Sequence, residues 1–213
     1  MEKELLILTK SSKHHAYCVV GYDIKTKQLI RLTSSDEQSN NSLLRHHLTY
    51  NNGKEVECQD VVKVELLTKV PKEIHKEDWL INEDIKFTKV RNGNINELNS
   101  IIKVNSGLIF ENDKEYLTFE EAKRQNQSII VAYVENIELY TVQNYDRSKL
   151  KTKVNFTYNN KQYNHFSVTD PKFYNKNQKY KKAIIVFSLP DSSDIWCIIN
   201  NKFYKYVAKI FLI

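Results

Sequence analysis

Glycine is scarce in this chain. Gly21, Gly53, Gly93 and Gly107 are the only four in 213 residues, never closer than fourteen positions apart. That spacing excludes every phosphate cradle built on paired glycines, the dinucleotide fingerprint and the P-loop among them. Cysteine is as sparse: Cys18, Cys58 and Cys197 are odd in number and form no C-x-x-C pair. Neither a disulfide framework nor a zinc site is expected, and a reducing cytoplasm fits. Long apolar runs are missing too. None approaches the ~20 residues of a membrane span, and Glu2, Lys3 and Glu4 set the N-terminus apart from a signal peptide. The six histidines are scattered, and the adjacent His46 and His47 face two directions on any helix. No metal or other cofactor, no membrane partner and a cytoplasmic location are therefore expected.

What is present suits a core-forming chain: 41% hydrophobic and 27% charged residues. The pattern is mainly β. Glu4 to Thr9, Tyr17 to Tyr22 and Gln28 to Thr33 read as strands, the last two joined by a short polar turn. Leu43, Leu44, His47 and Leu48 suggest a short helix. Asp60 to Leu67 returns to strand, with Val62, Val64 and Leu66 alternating against Lys63 and Glu65. Asn94 with Glu97, and Thr118 with Glu121, carry helix capping-box signatures. From Ser128 onward strand follows strand. Asn159-Asn160 predicts a two-residue hairpin turn, because Asn tolerates the left-handed conformation. A parity shift between Tyr163 and Phe166 predicts a bulge near Asn164 and His165. Ala183 to Leu189 is expected to pair with Ile195 to Ile199 across Pro190 to Asp194. Short strands at this spacing argue for a barrel or a sandwich.

The net charge of +6 is unevenly placed. Residues 1–127 hold 19 basic and 20 acidic side chains, whereas residues 128–213 hold 13 and 6. Between Asn144 and Lys182, ten basic residues face only Asp146 and Asp170, and aromatics lie among them. Lysines interleaved with flat rings are what a single-stranded nucleic-acid surface needs, ammonium groups for phosphates and rings for bases. The candidate contacts are Lys151, Lys153, Lys161, Lys172, Lys181 and Lys182 for phosphates, with Tyr163, Phe173, Tyr174 and Tyr180 for stacking. The bland reading is a set of core aromatics with lysines solvating the opposite strand face. Trp79 and Trp196 are read as packing residues.

A second polar cluster runs from Ser11 to Cys18. Ser11, Lys13 and His14 offer donors for a phosphate, and His14 offers a base for Cys18 as a nucleophile. Against this, Cys18 enters an apolar strand, where a buried cysteine is usual. Asp60 and Asp170 are read as turn locks that accept backbone N–H bonds.

Several segments together resemble the bacterial dual OB-containing domain family. They are Leu6-Ile7-Leu8-Thr9-Lys10-Ser11-Ser12-Lys13, Tyr17 to Asp23, Ile30-Arg31-Leu32, Asp60 to Val64 and Glu77-Asp78-Trp79-Leu80. Phe166 to Pro171, Val186 to Leu189 and Tyr206-Val207-Ala208 follow in the same order. His15-Ala16 departs from the glycine often found at the first turn. The resemblance implies two OB-like β-barrels in tandem; with the helical signatures of the middle, they are expected at 1–111 and 128–213, joined by a helical segment at 112–127. It also implies non-catalytic recognition of nucleic acid, single-stranded or structured RNA or DNA, or of a nucleotide, often in bacterial defence or conflict settings. Two alternatives stand beside it: an adaptor for a partner effector protein, and a small nucleotide-sensing or nucleotide-processing enzyme built on the Ser11 to Cys18 turn.

Overall fold

The computed structural model describes the whole chain except residues 14, 105–106 and 144–149 and the side chain of Lys13. The fold is mainly β with two short α-helices. It divides into two compact units, Met1–Ile101 and Ile102–Ile213.

The first unit holds β1 (Glu2–Lys13), β2 (Ala16–Asp23), β3 (Gln28–Thr33), β4 (Asp60–Lys69), β5 (Asp78–Ile81) and β6 (Thr88–Asn92). Five of these close into a barrel. β1 pairs with β2, β2 with β3, β4 with β5 and β1 with β4, all antiparallel, and the parallel β3–β5 pair completes the ring. β6 extends it alongside β4. Alternation sets the interior: Leu5 and Ile7 join Val19, Ile30, Leu32, Val62, Val64 and Leu66 in one core cluster. Leu6 and Leu8 point the other way yet are equally buried. Gly93 explains part of this, since a Cβ there would lie 2.2 Å from Leu6 Cδ1 and 2.9 Å from the Gln59 carbonyl oxygen. A glycine is thus needed for close approach, not for an unusual φ.

The connection between β3 and β4 is irregular. The helix expected at Leu43 to Leu48 is instead a turn, with Leu43 bridged to Tyr17 of β2. Its apolar residues still serve the core, as Leu43, Leu48, Tyr50 and Val56 all enter the same cluster. Burial satisfied the pattern without a helix. Asp60 acts as the expected lock, accepting from the Glu57 N–H at 3.0 Å and the Tyr50 hydroxyl at 2.8 Å, with Lys89 paired at 2.5 Å.

The second unit contains β7 (Tyr116–Leu117), α1 (Phe119–Arg124), β8 (Ile129–Gln143), β9 (Leu150–Tyr158), β10 (Lys161–Ser167), β11 (Gln178–Ser188), α2 (Ile195–Asn200), β12 (Phe203–Tyr204) and β13 (Tyr206–Leu212). Residues 112–127, expected as a connector, lie within this unit and contribute β7 and the six-residue α1, capped by Thr118 and Glu121. The main sheet runs β10-β9-β8-β11-β13. Val168, just beyond β10, bridges Val207 of β13 in parallel, and Thr169 N–H donates to the Val207 carbonyl at 2.9 Å. Numbered along its main sheet, each unit runs 3-2-1-4-5; in the first the third and fifth strands pair in parallel, and in the second a single parallel bridge joins Val168, just past the third strand, to the fifth.

The β9–β10 hairpin turns on Asn159 and Asn160, both left-handed (φ 50° and 57°). The bulge falls between Tyr163 and Phe166, with His165 at φ 65°. One expectation fails here. Ile195 to Ile199 does not pair with β11, whose partners are β8 and β13. Asp194 caps the segment by accepting from the Cys197 N–H at 3.2 Å, and Asn201 ends it at φ 47°. The result is α2.

Candidate functional site

An open cleft of about 640 Å³ lies in the second unit. Its walls come from Val142 and Leu150 at the facing ends of β8 and β9, Thr152 and Lys153 along β9, and Ser167 to Thr169 at the end of β10. Tyr174, Trp196, Tyr204 and Tyr206 add four aromatic side chains, and Glu115 adds one carboxylate. The Val168–Val207 bridge holds the end of β10 against β13, and the β11–β13 connection lines the same cleft as the β8–β9 end.

Each side chain is held differently. Lys151 is exposed at the cleft wall. Lys153 is half-buried and donates to the His165 carbonyl and to Ser167 Oγ, both at 2.9 Å, with Glu115 3.9 Å away. Burial pulls its pKa down, with Glu115 opposing. Tyr174 is 42% exposed, and its hydroxyl donates to the Thr169 carbonyl at 3.3 Å, which fixes the ring while leaving a face open. Trp196 is 67% exposed on α2, where its carbonyl accepts from Asn200 Nδ2 at 2.8 Å. Burial raises the pKa values of Tyr204 and Tyr206, so both stay protonated donors at neutral pH.

Of the ten contacts expected in this half, the structure gathers Lys151, Lys153 and Tyr174 at the cleft and leaves the others outside it. Tyr163 is fully buried and stacks on Phe156, with ring centres 5.2 Å apart and planes 4° from parallel. Phe173 is also buried, edge-on to the half-buried Tyr180. Neither Tyr163 nor Phe173 presents a face to a base, because both rings are buried, Tyr163 within the aromatic cluster around Phe156 and Phe173 beneath Tyr180. Lys161 is exposed 3.8 Å from Asp113, and Lys182 lies 3.8 Å from Glu135 and over the Tyr133 ring. Lys172 and Lys181 are exposed. Sequence reasoning missed Glu115, Trp196, Tyr204 and Tyr206. Trp196 is exposed where packing was expected, and no local signal marks the other three, because only tertiary folding brings them together.

The Ser11 to Cys18 segment is the β1–β2 hairpin. Ser11 is buried, with its hydroxyl 3.4 Å from the Cys18 carbonyl, and so is turned inward. Lys13 pairs through its backbone with Ala16, its side chain and His14 lying outside the described residues. Cys18 Sγ accepts from Arg31 Nη1 at 3.3 Å. Arg31 also sits 3.6 Å from Glu77 and 3.4 Å from Asp78, with His75 3.8 Å from Asp78. This buried ionic group ties β3 to the segment leading into β5.

The charge separates with the units. The first carries 15 basic and 15 acidic side chains, the second 17 and 11, so the whole net charge of +6 resides in the unit that holds the cleft. No described helix is long and apolar enough to cross a membrane. A family model described as a dual OB-containing domain matches residues 3–210, and the chain belongs to that family. No curated protein and no solved structure matches significantly.

Proposed function

We propose that this member of the dual OB-containing domain family is a non-catalytic nucleic-acid recognition module. In this reading its second unit is a barrel of the same kind as the first, closed through Val168 and Val207, and binds single-stranded nucleic acid in the cleft. The observation that carries the reading is the coincidence of position and composition. OB barrels bind oligonucleotides across the face of strands 2 and 3 and the loops joining strands 1–2 and 4–5. The cleft lies where β9, β10 and the β11–β13 connection meet, and it combines Lys151 and Lys153 with four aromatic side chains. Its volume suits a short stretch of one or two nucleotides. The net +6 of the unit supplies the long-range attraction for a polyanion.

The two kinds of contact separate in one experiment, the anisotropy of labelled single-stranded RNA and DNA titrated against salt. Each lysine that neutralises a phosphate contributes roughly 0.7 to the slope of log affinity against log salt. Lys151→Glu should weaken every sequence alike and flatten the slope by about that amount or more. Trp196→Ala and Tyr174→Ala should each cost ~1–3 kcal/mol and leave the slope unchanged, because stacking releases no counterions. Absence of binding at low salt overturns the reading, and so does binding that none of these substitutions weakens.

A further inference from the structure

His165, exposed beside the cleft, is held through its backbone and one ring nitrogen, with the other ring nitrogen left open. It stands in the β9–β10 bulge at φ 65°, a left-handed conformation uncommon for a residue with a side chain. The bulge turns it outward, while Phe166 next to it is buried. Its place follows from the register. Tyr140, Lys153 and Ser167 are cross-strand neighbours, and the last two line the cleft. Asn155, opposite Glu138, stands one step further along the same face, and its Oδ1 accepts the His165 N–H at 2.9 Å. The His165 carbonyl accepts from Lys153 Nζ, also at 2.9 Å, and its Nδ1 meets the Tyr140 hydroxyl at 2.5 Å. Nε2 alone has no partner among the described residues.

Tyr140 decides what that nitrogen offers. Burial raises the phenol's pKa, with Glu115 and Glu138 adding to it, so the hydroxyl keeps its proton at neutral pH. Its other acceptor, Asn155 Oδ1, is 3.4 Å away and already takes the His165 N–H. The phenol proton therefore goes to Nδ1, and in the neutral imidazole Nε2 carries the ring's own proton. The open atom is a hydrogen-bond donor on a rigid sheet. Cations nearby are already engaged: Lys179 pairs with Glu138 at 2.8 Å, and Lys153 donates to Ser167 and the His165 carbonyl. A phosphate gains little at such a place, whereas a base edge gains a donor. We infer that His165 reads a base, and that it selects thymine, uracil or guanine, which present a carbonyl oxygen, over cytosine or adenine, which present an amino group. This rests on the recognition reading above, in which a strand seated in the cleft and continued past Lys153 meets His165 next. Tyr140 and Asn155 are positioning residues, one for the ring and one for the backbone. An amino group facing Nε2–H loses the bond and sets donor against donor, and one neutral hydrogen bond corresponds to about three- to tenfold in affinity.

Labelled oligo-dT and oligo-dC of equal length test this, because the two pyrimidines differ chiefly in the carbonyl or amino group at position 4. Anisotropy titrations of the full chain at neutral pH, repeated across salt concentrations, give both the affinity ratio and the salt slope. Wild type should bind oligo-dT about three- to tenfold more tightly than oligo-dC. His165→Asn suits a left-handed backbone but is too short to replace the ring. It should bring the ratio within about twofold and leave the salt slope unchanged, since no phosphate contact is lost. Tyr140→Phe should lower the ratio as well, because the imidazole loses the partner that fixes its tautomer. A merely structural role for either side chain would weaken both polymers alike. A wild type that binds both equally, or prefers oligo-dC, overturns the proposal and leaves the recognition reading standing. A preference that survives both substitutions overturns it too. A slope flattened by roughly 0.7 in His165→Asn assigns the ring to a phosphate and does the same. Absence of binding to either polymer at low salt removes the recognition reading itself, and this inference with it.

Discussion

Lys205 is the most heavily buried cation among the described residues, with no exposed surface. Its Nζ donates to the Ile109 carbonyl at 2.7 Å and to the Asn112 carbonyl and Oδ1 at 2.9 and 2.6 Å. Burial pulls its pKa down from 10.5 to about 7, with Asp113 and Glu121 opposing. The consequence for stability has a definite sign. A base whose pKa falls on folding binds fewer protons in the native than in the unfolded state, so its contribution to stability rises with pH between about 7 and 10.5 and levels off below. From the two pKa values, the gain between pH 7 and pH 9 is about 2 kcal/mol. That figure is an upper one, because three carbonyl acceptors match the three protons of an ammonium and favour the charged form. Lys205→Met isolates the effect, since every other titrating group is common to both proteins. Guanidinium unfolding at matched pH should show wild type gaining on the variant from pH 7 to pH 9. At pH 9 the variant should be the less stable by about 1–3 kcal/mol, since the neutral amine present there still donates to the Ile109 and Asn112 carbonyls, while Asn112 Oδ1 keeps the Lys114 N–H at 3.0 Å. A difference that does not change with pH would refute the claim that burial dominates at this lysine. A variant as stable as wild type at pH 9 would refute the role of these hydrogen bonds.

Glu97 tests the opposite sign. Arg91 grips it with bonds of 2.7 and 2.8 Å, which hold its pKa at about 2. Its contribution is thus present above about pH 4.5 and fades as pH falls toward 2; because the arginine is half exposed, Glu97→Gln should cost only about 1 kcal/mol in urea at pH 7 and nothing near pH 2. Gly93→Ala should destabilise the first unit by about 1–3 kcal/mol, since the added methyl meets buried Leu6 and the Gln59 carbonyl. A melting temperature equal to wild type would show that the Leu6 contact yields without cost.

What the sequence made legible was local. Asn159-Asn160, the Asn94 and Thr118 capping boxes and the bulge before Phe166 each depend on residues a few positions apart, and each lies where the pattern indicated. Two failures have physical causes. Ile195 to Ile199 is rich in β-branched residues and reads as strand, but Asp194 and Asn201 supply both helix stops, and β11 already has partners on both edges. Tyr163 and Phe173 look like stacking residues in a lysine-rich stretch, yet both are buried, Tyr163 against Phe156 and Phe173 against the half-buried Tyr180. The cleft itself could not be read from any window. Glu115, Lys153, Trp196 and Tyr206 span more than ninety positions and converge only in the folded unit.

The distribution of ion pairs sharpens the division of labour between the units. In the first, the cations are largely spent internally. Lys3 pairs with Asp23, Lys10 with Glu55 and Glu57, Arg31 with Glu77 and Asp78, Lys89 with Asp60 and Arg91 with Glu97. Equal numbers of each sign, paired at short range, leave little field beyond the ~8 Å over which physiological salt screens. In the second unit, Lys151, Lys172, Lys176 and Lys181 form no ion pair among the described residues. Their charge is available to an incoming polyanion and releases counterions when one binds. The cleft, however, holds only two lysines, one of them already engaged with Ser167 and the His165 carbonyl. If the second unit binds nucleic acid as proposed, unpaired surface charge would govern how fast the strand arrives and how strongly salt opposes it, while the rings of Tyr174 and Trp196 would govern how long it stays. The interleaved lysines and aromatics that read as one surface in the sequence are separated in the fold, Lys172, Lys176 and Lys181 lying outside the cleft and Tyr174 and Trp196 lining it.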